Sequence, residues 1–288
     1  MLGLIPSAFG QGAPHYLSIP SKKVNLSGVN VHFVEAGKGP AILFLHGLGG
    51  TWRDWSANLP AFAAIHRVMA LDFPGFGKAV RPHDSYDPAS LARWVLGELD
   101  DRDVEAAVVA GHSLGGRVAG ELALLAPKRV LALALVSPLG SAPYGFTDTL
   151  KWKAMSRAAL VASAPETSMR NALGYGFAVD GAGKKGFVAR GMAARTGPRA
   201  PAALRALERS VDGLLSAPPL SKRLAGTKVP LLLVTGVEDP LAPPKDVETI
   251  LGARADAKYV KLAGVGHYAP IEAPKDIAKL LSELSKKA

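Results

Sequence analysis

The chain has 288 residues, 48% hydrophobic and 20% charged, with a formal net charge of +10. That is enough apolar chain to bury the core of one large domain, or of a domain with an insert. The absence of cysteine excludes a disulfide framework, a thiolate metal site and a cysteine nucleophile.

No apolar run is long enough to span a bilayer, and the segment before Pro6 is too short and lacks the basic start of a secretory signal. The expectation is a soluble, cytoplasmic protein. Thirteen basic residues against five acids between Pro138 and Arg223 carry a net of +8, most of the excess. A solvated helical surface accounts for that charge, and no stripe of interleaved aromatics points to nucleic acid.

Met1 to Ser21 is rich in Gly, Pro and Ser and reads as an extended arm. Lys23–Leu26 and Val29–Glu35 flank Ser27-Gly28 as a hairpin, with Val29, Val31 and Phe33 alternating against polar neighbours. Ala41–Leu45 is a buried strand that breaks at His46-Gly47-Leu48-Gly49-Gly50. This glycine loop has neither of the phosphate-cradling spacings. A helix is expected over Arg53–Ile65, then a strand over Val68–Leu71 and a turn at Asp72-Phe73-Pro74-Gly75-Phe76-Gly77. Asp87 caps a helix that has Pro88 at its first position and Leu91, Val95 and Leu99 on its apolar face.

Ala106–Ala110 is a continuous run of small and β-branched residues, as suits a central parallel strand. It leads through Gly111-His112-Ser113-Leu114-Gly115 into a helix with Val118, Leu122 and Leu125 on one face. Ser113 thus sits at the tip of a tight strand-to-helix turn. Such a turn strains the tip backbone, exposes the hydroxyl above the sheet edge and aims the free amides of a helix start at any oxyanion beside it.

Further strands are expected at Val130–Val136, Val229–Thr235 and Lys258–Leu262, and helices at Asp246–Leu251 and Pro274–Ser285. Strand and helix alternation gives a mostly parallel sheet with helices on both faces. Residues 139–222 break the pattern with Ala-rich helical stretches and read as an inserted cap with its own core, between core parts 1–138 and 223–288. The cap leaves from the carboxyl end of a strand, where open sheets bind ligands.

A serine nucleophile needs a base, and the base needs an orienting carboxylate. An acid stands just past one strand in Gly236-Val237-Glu238-Asp239-Pro240, and His267 follows the next strand in Gly264-Val265-Gly266-His267. The chain order is Ser, Asp, His. With the His46-Gly47 loop, the Asp72–Gly77 turn, the Gly111–Gly115 elbow and Glu272 and Pro274 after His267, the sequence resembles the α/β-hydrolase superfamily, in its serine branch with a helical cap.

The resemblance covers nearly the whole chain and implies roles for individual residues. Ser113 would be the nucleophile, His267 the base and then the acid, and Asp239 the orienter. The amides of Leu48 and Leu114 would be the oxyanion donors. Some relatives carry the acid after the preceding strand, but that strand here ends in Val136-Ser137-Pro138.

Haloalkane dehalogenases and epoxide hydrolases of the superfamily use an aspartate at the elbow, so Ser113 argues against both. The expected reaction is cleavage of an ester, thioester or lactone of a small molecule, with no metal or organic cofactor. A carbon-carbon bond hydrolase of ring-cleavage diketones, an acyltransferase and a ligand receptor with little turnover share the same parts. Phe146, Trp152, Tyr175 and Phe177 are candidates to line the pocket, and Lys78 to stand at its entrance.

Overall fold

A computed structural model of the chain describes residues 21–26, 29–79 and 85–288. The expected N-terminal arm and the Ser27-Gly28 turn lie outside these residues. Strands β1 (Ser21–Leu26), β2 (Val29–Ala36), β3 (Ala41–Leu45) and β4 (Arg67–Leu71) precede helix α1 (Pro88–Asp100). Then come β5 (Ala107–His112), α2 (Leu114–Leu125) and β6 (Val130–Val136). Six helices follow: α3 (Phe146–Ser156), α4 (Ala158–Ser163), α5 (Glu166–Gly174), α6 (Ala182–Thr196), α7 (Ala200–Ser216) and α8 (Leu220–Arg223). The chain ends with β7 (Leu231–Gly236), α9 (Pro244–Glu248), β8 (Lys258–Leu262), α10 (Ala269–Glu272) and α11 (Pro274–Ser285).

The eight strands form one sheet in the order β1-β2-β4-β3-β5-β6-β7-β8. The hairpin strands β1 and β2 run antiparallel, and every pair from β4 to β8 is parallel. Parallel strands have both faces covered, and the side-chain period of two divides each strand between two cores. Leu43 and Leu45 of β3 join Leu91, Val95, Val118 and Leu122 on one face. Ile42 and Phe44 join Trp55, Phe62, Ile277 and Leu281 on the other. All four β3 side chains are excluded from solvent, and burial of each is worth about 1.5–3 kcal/mol.

Several boundaries differ from expectation. Arg53–Ile65 is not one helix but two short 3₁₀ turns, Trp52–Trp55 and Leu59–Ala61. Pro60 cannot donate within a continuous helix, and Trp52, Trp55, Leu59 and Phe62 all turn into the core. The strand expected over Val229–Thr235 starts after Pro230, at Leu231, and the helix expected over Asp246–Leu251 starts earlier, at Pro244.

The helices between β6 and β7 share the sheet's core in part, while Leu173, Phe177, Phe187 and Met192 form a buried cluster of their own. Leu204, Ala206 and Leu207 of α7 and Leu220 of α8 belong to the same cluster as Leu91 and Leu122. The amphipathic face of α7 is wide enough to pack on the sheet's helices as well as on Trp152 and Leu139.

The two ends of this segment lie side by side, with the amides of Leu220 and Ser221 donating to the carbonyls of Gly140 and Ser141. Arg117 of α2, fully buried, donates to Glu121 at 2.8 Å and to the carbonyls of Gly140 at 3.2 Å and Pro218 at 2.8 Å. One guanidinium thus holds both feet of the helical segment to the elbow helix. Removing Arg117 leaves Glu121 with only the part-exposed Arg223 and takes the donor from the carbonyls of Gly140 and Pro218. Arg117→Ala should therefore lower stability by about 3–5 kcal/mol in urea unfolding. The paired Arg117→Met/Glu121→Leu variant should recover only the part owed to the ion pair, since the carbonyls of Gly140 and Pro218 stay without their donor.

Candidate active site

The turn between β5 and α2 holds Ser113 at φ +56°, a left-handed conformation that a side chain tolerates poorly. The strain is locked in by the backbone. The Ser113 amide donates to the Val136 carbonyl at 2.9 Å, and its own carbonyl accepts from Arg117 and Leu139. A side chain at Gly111 would strike the Gly115 carbonyl, and one at Gly115 would strike the carbonyls of Leu45 and His46. Only glycine lets strand and helix approach this closely.

Ser113 Oγ lies 2.9 Å from His267 Nε2, and His267 Nδ1 lies 2.9 Å and 3.1 Å from the two Asp239 oxygens. The carboxylate accepts only, so Nδ1 carries the proton and Nε2 is left to accept from the serine hydroxyl. Asp239 also accepts from the amides of Leu241 and Ala242, each at 2.8 Å. Burial pushes its pKa up, but His267 and the Ala242 amide outweigh this and hold it below the usual carboxylate range. Glu238 is occupied elsewhere, accepting from the Val265 amide at 3.0 Å. The arrangement can pass a proton from Ser113 to His267 beside a fixed negative charge.

Three polar ties hold the histidine loop. The His267 amide donates to the Gly176 carbonyl at 2.6 Å, from the turn after α5. Glu272 accepts from the amides of Tyr268, Gly266 and Ala178. The His112 ring donates through Nε2 to the His267 carbonyl at 2.8 Å. His46, in the glycine loop, accepts the Phe73 amide at Nε2 and donates through Nδ1 to the Gly47 carbonyl. His112 and His46 thus act as loop braces, as their motif positions suggest.

The serine opens into a cavity of about 330 Å³ that Leu48, His112 and His267 line from below and α3 to α7 line from above. Leu48 is half-buried beside Gly47, whose position is in contact with Ser113, and Leu114 starts α2 in the fully buried core. Of the four aromatic candidates, the structure brings Trp152 to the cavity. Phe146 is 84% exposed and Tyr175 is 51% exposed, beneath Lys151. Phe177 stacks on Tyr268 behind the lining. These three do not line the cavity.

Lys78 is exposed on a second cavity of about 470 Å³, which shares Gly49, Asp54 and Phe187 with the first. Sequence reasoning missed Asp54, Arg195 and Tyr268, all lining the cavity at Ser113. Asp54 stands seven residues after Gly47 without a motif, and Arg195 is one of many cations on helical chain. Only the adjacency of Tyr268 to His267 offered a signal.

His112 has a distinct acid signature. Burial first, and the charge of His267 second, push its pKa down to about 3 from 6.5. The unfolded chain takes up this proton as pH falls below 6.5, while the folded ring refuses it until pH nears 3. Between those values the unfolded state binds more protons, so stability is lost on acidification, at up to about 1.4 kcal/mol per pH unit. His112→Gln keeps a donor for the His267 carbonyl and removes the titration. Urea unfolding across that window should give a shallower pH dependence for the variant. An unchanged slope would show that the native ring does take up the proton.

The fold has clear counterparts among known proteins. Over 117 residues the chain is 42% identical to the dihydrolipoyllysine-residue acetyltransferase component of the acetoin cleaving system of Cupriavidus necator, covering 40% of this chain and 31% of that protein. The chain thus spans only about a third of the length of that relative. It is 27% identical to the 2-hydroxy-6-oxo-6-(2'-aminophenyl)hexa-2,4-dienoic acid hydrolase of Metapseudomonas resinovorans, covering 92% of this chain and 91% of that one. A crystal structure of a hydrolase from Pseudomonas aeruginosa PA01 superposes with a TM-score of 0.78 at 25% identity, covering 92% and 98% of the two chains. No helix among the described residues is long and apolar enough to cross a membrane. Residues 42–280 match the alpha/beta hydrolase family, and with this sheet, elbow and strand-end histidine the chain belongs to that family.

Proposed function

We propose that the chain is a serine hydrolase that cleaves a carboxylic ester, thioester or lactone of a small molecule through an acyl-enzyme. The observation that carries this reading is the unbroken Asp239–His267–Ser113 hydrogen-bond chain at the floor of a mostly apolar cavity. Ser113 Oγ attacks the carbonyl carbon as its proton passes to His267 Nε2, and the amides of Leu48 and Leu114 receive the tetrahedral oxyanion. Collapse expels the alcohol, which takes the proton from His267. A water then loses its proton to the same nitrogen, attacks the acyl carbon and releases the acid and the serine.

Residues 139–222 act as the cap in this reading, set between core parts 1–138 and 223–288. Lined by Trp152, Met169, Leu173 and Phe187, the roof keeps bulk water off the acyl-enzyme and selects the group beside it. A second reading, hydrolysis of a carbon-carbon bond in a ring-cleavage diketone, draws on the near full-length similarity to the hexadienoic acid hydrolase.

The test is turnover of 4-nitrophenyl esters of graded acyl length beside a vinylogous diketone. Ester turnover should dominate, and Ser113→Ala should cut it by about a million-fold. Preference for the diketone would select the second reading. Asp239→Asn should lower kcat by about 10⁴, because the neutral amide can neither fix the tautomer nor stabilise the imidazolium. Glu238→Gln should cost less than about tenfold, since its side chain serves the Val265 amide. A larger loss for Glu238→Gln would transfer the orienting role to Glu238.

A further inference from the structure

Arg195 of α6 is a cation in a mostly apolar cavity with no anion to answer it among the described residues. It lines the same cavity as Ser113 and His267. Its Nη2 lies 3.7 Å from where a side chain on Gly49 would begin, which places the guanidinium over the loop that carries Leu48. Its one hydrogen bond among the described residues runs from Nη1 to the Gly191 carbonyl of its own helix, at 3.1 Å. No carboxylate among the described residues pairs with it.

The carboxylate that lines the cavity, Asp54, is already engaged. Arg190, one and a half turns earlier on α6, donates to Asp54 at 3.1 Å, and Asp54 is 3% exposed and also accepts the Thr51 amide. Arg157, Arg170 and Arg223, elsewhere in the helical segment, each face a glutamate. Arg195 differs from these in lining the cavity beside Ser113 without such a partner among the described residues. It is a charge held in apolar surroundings without a partner of its own, and burial alone pushes its pKa down.

A second donor stands nearby. Tyr268 lines the same cavity and senses the charge of Arg195. Burial, and then Asp54, push its phenol pKa up, so it stays a neutral hydroxyl that can donate. Apolar side chains such as Trp152, Val161 and Leu207 make up most of the remaining wall, with Ser156 and Ser168 among them. A guanidinium fork and a phenol hydroxyl in a greasy cavity match a carboxylate carried on a short hydrocarbon.

We propose that Arg195 is a specificity-determining residue that receives a carboxylate of the substrate, so that the chain's substrates are anionic esters with a free carboxylate as well as the scissile carbonyl. The proposal rests on the serine hydrolase reading for its second half, and the test separates the two. Arg195 takes no part in bond making. It binds one end of the substrate and thereby sets which carbonyl lies over Ser113.

The experiment compares mono-4-nitrophenyl adipate with its methyl-capped, neutral counterpart on the wild-type chain, Arg195→Gln and Arg195→Lys. The wild type should prefer the anionic ester in kcat/KM by at least about tenfold, as a charge-assisted bidentate pair gives. Arg195→Gln should lower the anionic-to-neutral ratio by about 10- to 100-fold, mainly through KM, and Arg195→Lys should retain part of it because charge persists without the fork. Serine-directed phosphonate labelling of Ser113 in each variant shows whether the site is intact. A ratio unchanged in a labelled Arg195→Gln overturns the proposal.

If neither ester is turned over and the wild type is not labelled, the hydrolase reading fails, and calorimetric titration with adipate dianion decides the recognition on its own. Binding to the wild type that weakens at least about tenfold in Arg195→Gln upholds the carboxylate site. Absent or equal binding overturns it.

Discussion

Everything in the site hangs on the backbone of Ser113. Its φ of +56° belongs to a conformation that β5 and α2 impose jointly, because the Ser113 amide is spent on β6 and its carbonyl is taken by Arg117 and Leu139. Such strain persists only where surrounding structure over-determines it. The four flanking constraints, two glycines that allow close approach and two elements buried on every side, supply that over-determination. The hydroxyl is thereby aimed at the edge where the ends of β7 and β8 deliver Asp239 and His267. A relaxed turn would leave the serine oxygen within the sheet, and the same three side chains would not meet.

The helical segment is joined to this edge by polar ties at each part of the site. Arg117 holds its two feet, Gly176 accepts the His267 amide, and Glu272 accepts both from the histidine loop and from Ala178. Asp54, beside the glycine loop, meets Arg190 of α6. The apolar contacts of α7 with the main core add area without direction, whereas these hydrogen bonds fix register. The consequence is that the helical segment and the sheet edge share their positioning groups: a change at Gly176 or Arg190 reaches His267 or the glycine loop directly.

Charge follows a similar division. The helical segment carries most of the chain's net positive charge, and three of its thirteen cations, Arg157, Arg170 and Lys184, pair with local acids, Glu208, Glu166 and Asp180. Exposed pairs of this kind are screened and contribute little to stability. The same chemistry inside the cavity is unscreened, so one unanswered guanidinium there outweighs many at the surface in selecting a ligand.

Local sequence was enough to determine the parts that depend on local physics. The apolar runs at Ala41–Leu45, Ala106–Ala110 and Val130–Val136 had to be covered strands, the Gly111–Gly115 turn had to present Ser113, and Asp239 and His267 had to stand at strand ends, because period and glycine spacing act within a few residues. The sequence could not decide between Asp239 and Glu238 except by resemblance. The structure separates them by which partner each reaches, His267 or the Val265 amide. Tertiary packing alone decided that Trp152 faces the cavity while Phe146, Tyr175 and Phe177 do not, that Arg53–Ile65 breaks into two turns, and that α7 joins the main core. Arg195 is the plainest case: as a letter it is one cation among thirteen in its segment, and among the described residues folding leaves it without a carboxylate while it seats Asp54 against Arg190. Pairing and exposure are set by residues far apart in the chain, and a period of two or 3.6 carries no information about them.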